Sequence, residues 1–289
     1  MSIGGGVHRA IERACSIQCR AMQIFVKNNM QWFARPFTRD EIRAFLEHAD
    51  RQQLAAVFAH ANYLINLAAT NPQFHANSLR ALSEELVRAD QLTLPFIVLH
   101  PGAHLGAGEE AGLEKIVRSI DQVFAAVPKV KTRIALETTA GQGSSLGHKF
   151  EHLAAIIALV REPERLCVCL DTAHVFAAGF DLTTEAGTRK MFRQFDDVIG
   201  MERLVALHLN DSKTACGSRV DRHEHIGKGR IGLHAFRVIM RDRRFRKIPK
   251  VLETPKGKEL REDVINLRTL RQLAAAEAKS NSLGKKTNR

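Results

Sequence analysis

Apolar residues follow two alternating patterns along the chain. Longer segments repeat their apolar residues with the 3.6-residue period of an amphipathic helix, and short runs rich in β-branched and aromatic residues between them predict buried strands. The predicted strands are Met22–Lys27, Ala55–His60, Pro95–His100, Arg133–Thr138, Leu166–Asp171, Leu204–Leu209 and Lys250–Thr254. The predicted helices include Arg39–Arg51, Pro72–Gln91, Glu109–Ala126, Phe150–Arg161, Glu185–Ile199 and Leu233–Arg241. Regular alternation of strand and helix predicts a parallel sheet.

Polar residues at the strand ends indicate which kind of parallel sheet this is. Six of the seven runs carry a histidine or a carboxylate at or near the C-terminal end, namely His60, His100, Glu137, Asp171, His208 and Glu253. An open sheet binds ligands in one crevice, whereas a barrel gathers all its strand ends around one mouth. We therefore predict a TIM (β/α)8 barrel. It lacks its first strand at the N-terminus, because a helix starting near residue 7 precedes the first predicted strand.

Length and composition set the domain organisation. The 289 residues, 45% of them hydrophobic, predict a single α/β barrel domain over residues 1–276. Residues 277–289 form a polar, basic tail that we expect to be disordered. The net charge of +12 makes a polyanionic partner plausible. With no long apolar run and no export signal, we expect no membrane contact and a location in the bacterial cytosol or nucleoid.

Cysteine usage fits a reducing compartment. The five cysteines form no CxxC pair, and Cys167 and Cys169 alternate on a predicted buried strand, where we expect them to be small core residues.

Three more potential ligands follow the strand ends. His174 lies three residues after Asp171, on what we expect to be a short loop, and Asp221 and His223 form an Asp-x-His pair. Histidine, aspartate and glutamate are the ligands that zinc takes when thiolates are absent. Nine such groups at one barrel mouth would repel or desolvate one another without cations. We therefore predict that these residues bind metal ions.

The remaining histidines are weaker candidates. His104 and His225 follow two of the strands, where they could orient a ligand or contact a phosphate. The others fall on predicted helices or their starts, where solvent exposure is the default, and they are set aside: His8, His48, His75, His148, His152 and His234.

Long motifs carry a family resemblance. They are His100–His104 (HPGAH), Glu137–Gly143 (ETTAGQG), Leu170–Gly179 (LDTAHVFAAG), His208–Lys213 (HLNDSK) and Gly217–Gly227 (GSRVDRHEHIG). With Tyr63–Leu67 and Leu252–Thr254, these stretches resemble endonuclease IV, also called AP endonuclease family 2, from Ser2 to about residue 270.

The resemblance implies three Zn²⁺ ions, with Mn²⁺ left open at one position. It assigns His60, His100 and Glu137 to one ion, and His174, Asp221 and His223 to another. The remaining ion takes Glu137, which bridges two ions, with Asp171, His208 and Glu253. The implied activity is deoxyribonuclease IV, a hydrolase of ester bonds in base excision repair. It cuts 5′ to an abasic site, leaves a 3′-hydroxyl and also trims 3′ ends, with Glu137 or Glu253 as catalytic proton acceptor.

The resemblance also implies contacts with double-stranded DNA that contains abasic sites, made by a monomer. Two loops supply flat or apolar groups that could fill the place of the missing base, through Asn28, Met30, Gln31, Tyr63 and Leu64. Met30 stands where the family often has arginine, so its contact is apolar here. Packing against the barrel rim is the alternative role for Trp32 and Tyr63. Lys213, Arg219 and Arg222 are the expected phosphate contacts.

Two questions stay open at the sequence level. In the family a strand precedes the region Ser2–Gly6. Either the translation start of this sequence is assigned too far downstream, or the strands on both sides of the missing one are separated by a real gap and have unpaired edges. Two rival functions also remain: a metal-dependent sugar isomerase or epimerase on the same barrel, and a DNA-binding protein without catalysis.

Overall fold

Seven strands pair side by side in the order in which they occur along the chain. The computed structural model describes residues 1–275. Within them the strands of this sheet are β1 Ala21–Phe25, β2 Ala56–His60, β3 Phe96–Leu99, β4 Arg133–Glu137, β5 Leu166–Asp171, β6 Leu204–His208 and β7 Lys250–Val251. All six neighbouring pairs are parallel. Four two-residue strands form two small antiparallel pairs outside this sheet, Gly102–Ala103 with Ser145–Leu146 and Asp211–Ser212 with His223–Glu224. The strand order confirms the predicted barrel with one strand missing.

Helices connect the strands and form the outer layer. They are α1 Val7–Ser16, α2 Arg39–Gln52, α3 Pro72–Gln91, α4 Glu109–Ala126, α5 Phe150–Leu159, α6 Thr172–Ala178, α7 Glu185–Val198, α8 His234–Arg241 and α9 Arg261–Ala275. Local sequence starts several of them. Thr38 caps α2 in a reciprocal pair with Glu41, and Asn71 caps α3 just before Pro72. The six helices predicted by range all form, with ends that differ by at most two residues.

The barrel interior is filled by residues that alternate along the strands. The tilted rings of Phe58 and Phe96 pack with centroids 4.7 Å apart, and the same buried cluster includes Val98, Ala135, Cys169 and Ala206. Side chains on a strand return to the same face every second residue. The next inward position after Phe58 is therefore His60, and the one after Ala135 is Glu137. The packed interior thus supports a layer of polar side chains at the mouth.

The barrel is open on one side. Strands β1 and β7 are the two edges of the seven-stranded sheet, and within residues 1–275 no strand pairs them. A cavity of about 620 Å³ lies between them, lined by the first residues of the chain and by Gln23, Val251 and Glu253. The Met1 amino group contacts the carbonyl oxygen of Gln23. Of the predicted metal ligands, Glu253 lines this opening.

Three further sequence predictions concern the core, the tail and the membrane. Cys167 and Cys169 are buried on β5, as predicted, and all five cysteines are free. No helix of residues 1–275 combines the length and the apolar character that a bilayer crossing requires. The predicted tail, 277–289, lies outside the described residues.

Candidate metal centre

Glu137, the last residue of β4, occupies the middle of the mouth and is fully buried. Its Oε2 atom lies 3.2 Å from His60 Nε2 and 3.0 Å from His100 Nε2. Its Oε1 atom lies 2.8 Å from His208 Nδ1 and 3.4 Å from His174 Nδ1. One carboxylate therefore faces four imidazoles, two on each oxygen.

Two more carboxylates approach the same nitrogen of His208. Its Nδ1 atom lies 3.2 Å from Glu253 Oε2 and 3.8 Å from Asp171 Oδ2. Asp171 and His208 are register partners on β5 and β6, so that both side chains project into the mouth at the same level. Glu253 follows the end of β7 by two residues and is partly accessible to solvent.

His174, Asp221 and His223 form a third group. Asp221 lies 3.1 Å from His174 Nε2 through Oδ2 and 3.2 Å from His223 Nε2 through Oδ1, and the two Nε2 atoms are 3.3 Å apart. The expectation of a short loop at His174 is wrong, because this residue lies in the first turn of α6. Asp171 caps that helix by accepting the His174 backbone N–H at 2.9 Å, so a single carboxylate starts the helix and serves the centre.

The loop that carries Asp221 and His223 is held by a buried carboxylate. Asp211 accepts backbone N–H groups from Ser212, Gly227 and Ile231 at 2.8 to 2.9 Å. Residues 211–212 also pair in antiparallel fashion with residues 223–224. These bonds fold the segment back over the mouth, so that two predicted ligands that lie outside the barrel strands in sequence, Asp221 and His223, reach the centre.

Four carboxylates share this small volume, and their ion-pair partners within residues 1–275 are histidines. Burial opposes ionisation of Glu137, yet attraction to His208 and His100 holds its pKa well below the usual range. Burial lowers the pKa of His223, but Asp171 and Asp221 raise it to about 9. Glu137, Asp221 and Glu253 therefore stay ionised, and the cluster attracts positive charge.

The donor set fits transition-metal ions of the zinc type. The ligand atoms within each of three groups lie within 4.8 Å of one another: His60, His100 and Glu137; Glu137, Asp171, His208 and Glu253; and Asp171, His174 and His223. Asp221 bridges the two histidines of the last group. Imidazole and carboxylate donors in sets of three and four are those of zinc sites that keep a position for water or substrate.

Two residues that hydrogen-bond to this centre were not predicted from the sequence. Gln23 on β1 donates from Nε2 to Glu253 Oε1 at 2.7 Å, and its Oε1 lies 2.8 Å from His208 Nε2. Asn210 donates to Asp171 Oδ2 at 2.5 Å and accepts the Glu253 backbone N–H at 2.8 Å. The only sequence signal for Gln23 is a polar residue inside an apolar run. Asn210 lies within the HLNDSK motif, His208–Lys213.

The predicted wedge residues lie on the rim. Met30 and Tyr63 are exposed, at 69% and 55%, and the Tyr63 ring lies 5.4 Å from the His60 ring. Asn28 and Gln31 are also exposed, and Leu64 is half-buried. Trp32 packs edge-on against Phe74, with centroids 5.9 Å apart, which is the rim-packing role. The Tyr63 ring also packs edge-on against Phe25, with centroids 5.3 Å apart. Met30 and Tyr63 both present exposed surface at the rim.

The predicted phosphate contacts share one loop. Lys213, Arg219 and Arg222 are exposed on the segment that carries Asp221, and the Lys213 N–H donates to the Arg222 carbonyl at 2.9 Å. His104 and His225 have other partners. His104 Nδ1 accepts the Gly108 N–H at 3.2 Å, and His225 Nδ1 lies 3.1 Å from Asn266 Nδ2.

Known proteins share both the barrel and the sequence. The family model described as xylose isomerase-like TIM barrel matches residues 11–273, which defines the class of this protein. A probable endonuclease 4 of Geobacter sulfurreducens is 50% identical over 94% of this chain and 92% of its own length. The chain belongs to the endonuclease IV family.

Solved structures agree at two levels of similarity. Endonuclease IV from Thermus thermophilus superposes with a TM-score of 0.85 at 33% identity, over 96% of this chain and 97% of that one. A D-tagatose 3-epimerase-like protein superposes with a TM-score of 0.68 at 16% identity, over 95% of this chain and 96% of that one, and shares the fold alone.

Proposed function

We propose that this protein is an apurinic/apyrimidinic endodeoxyribonuclease of base excision repair that uses three Zn²⁺ ions. It hydrolyses the phosphodiester 5′ to an abasic site in duplex DNA, leaves a 3′-hydroxyl, and also trims 3′ ends. The observation that carries the proposal is the contact of one buried carboxylate, Glu137, with four imidazoles at the barrel mouth. The endonuclease relatives and the exposed rim residues support the same assignment.

The ligand assignment follows the first two groups in the mouth and, for the third ion, the contacts of Asp221 with His174 and His223. His60, His100 and Glu137 would hold one ion, and Glu137, Asp171, His208 and Glu253 a second. His174, Asp221 and His223 would hold the third, with Mn²⁺ as the alternative ion at one position. Bound zinc lowers the pKa of water and neutralises charge on a phosphodiester in hydrolysis.

Glu253 is better placed than Glu137 to accept a proton. Both oxygens of Glu137 are occupied by imidazoles, and its side chain is inaccessible. Glu253 is 17% exposed at the side chain, its Oε1 accepts one hydrogen bond from Gln23, and Oε2 faces the mouth beside His208. We therefore assign Glu253 as proton acceptor and Glu137 as the bridging ligand.

Recognition of an abasic site rests on shape, because no base edge is present to be read. Met30 and Tyr63 project apolar surface beside the centre and would fill the vacated stack, flanked by Asn28, Gln31 and Leu64. Lys213, Arg219 and Arg222 would contact the backbone phosphates. Contacts of this kind make DNA binding sensitive to the salt concentration. A pocket for a small sugar has no need of these exposed groups, which counts against an isomerase.

The decisive experiment incubates zinc-loaded protein with a duplex oligonucleotide that contains one tetrahydrofuran abasic analogue. We expect one cut 5′ to the analogue, a 3′-hydroxyl that a polymerase extends, and loss of cleavage on chelation. The undamaged duplex of the same sequence is the control substrate and should remain intact. An uncut damaged strand would overturn the proposal, and turnover of a ketose under the same conditions would favour the isomerase.

A variant pair tests the role of Glu253. Glu253→Gln should lower cleavage by about 100-fold or more, in the range of general acid–base catalysis, while the zinc content of the protein is retained. Glu114→Gln, on the exposed face of α4, is the matched control and should cleave at the original rate. Unchanged cleavage in Glu253→Gln would exclude its assignment.

We further propose that the protein acts as a monomer in the bacterial cytosol, where its DNA substrate lies. Sedimentation of the zinc-loaded chain should give a mass near the 32.2 kDa of one copy. A concentration-independent dimer would contradict the monomer.

A further inference from the structure

A second cluster of ligand-type side chains lies outside the barrel mouth. Two of the histidines set aside as exposed, His148 and His152, are only 8% and 4% exposed, so that prediction is wrong. The reason is tertiary: the segment between β4 and α5 folds back, and its Gly141 packs so close to the His148 ring that an added Cβ would meet it at 2.9 Å. Local sequence gives no sign of this burial.

The two histidines converge on Glu109, the first residue of α4. His148 Nε2 lies 3.7 Å from Glu109 Oε1, and His152 Nε2 lies 3.3 Å from Glu109 Oε2. The two rings meet edge-on with centroids 4.8 Å apart, and the three ligand atoms all lie within 4.8 Å of one another. None of the three residues belongs to the centre at the mouth.

The protonation of His148 leaves a lone pair directed into this cluster. His148 Nδ1 lies 3.0 Å from the Ser145 carbonyl oxygen, so Nδ1 carries the proton and donates it. Nε2 is buried and has no hydrogen-bond partner among residues 1–275. A lone pair and a carboxylate oxygen 3.7 Å apart repel each other unless a cation lies between them.

We propose that Glu109, His148 and His152 form a separate site for a divalent transition-metal ion such as zinc. Two imidazole nitrogens and a carboxylate make up three ligands of a tetrahedral site, and Glu109 is 40% exposed at the side chain, which leaves the fourth position to water. His148 and His152 are four residues apart where α5 begins, so one short stretch presents both rings.

Two features make this site weaker than the centre at the mouth. His152 Nδ1 accepts the Gly147 N–H at 3.2 Å, so coordination through Nε2 moves the ring proton to Nδ1 and removes the acceptor of Gly147. The Lys149 ammonium lies 2.6 Å from Glu109 Oε2 and competes with a metal ion for that carboxylate. The site therefore fills only at higher free zinc than the mouth does.

The test is a metal titration of the full chain. Protein is first loaded with zinc, its tightly bound metal is measured after desalting, and Zn²⁺ is then titrated in by calorimetry. We expect one further equivalent in the original protein and none in His148→Phe, which keeps a ring of similar size. His234→Ala, an exposed histidine on α8, is the control and should keep the further equivalent. Retention of the tightly bound zinc in His148→Phe shows that the variant is folded.

A third variant is expected to strengthen zinc binding at this site. Lys149→Ala removes the competing ammonium and should tighten the further equivalent several-fold. Absence of that equivalent from the original protein, its persistence in His148→Phe, or unchanged affinity in Lys149→Ala would overturn the proposed site.

Discussion

The Nε2 atom of His208 lies 2.8 Å from Oε1 of Gln23, and the amide nitrogen of the same glutamine donates to Glu253 at 2.7 Å. Because that nitrogen is the donor, the oxygen must accept from His208. The imidazole therefore carries a proton on Nε2, and its Nδ1 atom faces Glu137 and Glu253. A single amide on β1 thus orients two of the predicted ligands, His208 and Glu253.

Replacement of this amide should weaken metal binding. Gln23→Leu removes both hydrogen bonds, so we expect the zinc affinity of the mouth to fall by about 10- to 100-fold, the usual effect of removing a group that orients a metal ligand. Competition with a chromophoric chelator measures the change. Gln91→Leu, exposed at the end of α3, is the control. Equal zinc retention by the two variants would show that Gln23 has no positioning role.

A buried ion pair beneath the rim should govern stability. Lys27 Nζ lies 2.5 Å from Glu85 Oε1, and both side chains are at most 2% exposed. Lys27→Met leaves the carboxylate buried without its cation and should lower the free energy of unfolding by about 3–5 kcal/mol. Urea unfolding followed by circular dichroism measures this.

The double variant separates charge from packing. Lys27→Met with Glu85→Leu removes both charges, so most of the lost stability should return. If the double variant were as unstable as the single one, packing rather than the unpaired charge would be the cause.

Met30 should contribute apolar contact with damaged DNA. Met30→Ala removes an exposed thioether at the rim, and we expect KM for the abasic duplex to rise by about ten-fold, which corresponds to about 1.4 kcal/mol. The zinc content should not change. Steady-state cleavage kinetics measure the effect, and Leu159→Ala, 63% exposed on α5, is the control. A lower kcat at constant KM would instead assign Met30 to the chemical step.

The cysteines should differ sharply in reactivity. Burial raises the pKa of Cys167 and of Cys169 to about 12, so at pH 8 almost no thiolate forms at either residue. Cys216 is exposed and should account for the fast phase of labelling by iodoacetamide. Mass spectrometry of the labelled chain locates the modified thiols.

Raising the pH to 9 should leave the two β5 thiols unlabelled, because both pKa values stay well above it. Unfolding in urea should expose them. Cys216→Ser should lose the fast phase, and rapid labelling on β5 in the folded chain would contradict the burial of these residues.

The sequence by itself determined the order and type of most elements. The apolar runs and helical periods fixed seven strands and six helices, because each pattern matches a single regular backbone geometry. The position of His60, Glu137 and Asp171 at strand ends also followed from the sequence, since a period of two sends every second side chain to one face. A short helix was missed at His174, because its start depends on Asp171, which also ends a strand.

Only the tertiary structure decided which of these groups meet. Gln23 and His208 are 185 residues apart, and His148 and Glu109 belong to different helical units, so their contacts depend on how the barrel curves and on how one connecting segment folds back. The opening between β1 and β7 likewise depends on where the fold places the two edge strands of the sheet. Local propensity acts over a few residues, whereas burial and hydrogen-bond partners are set by chain packing across the whole barrel.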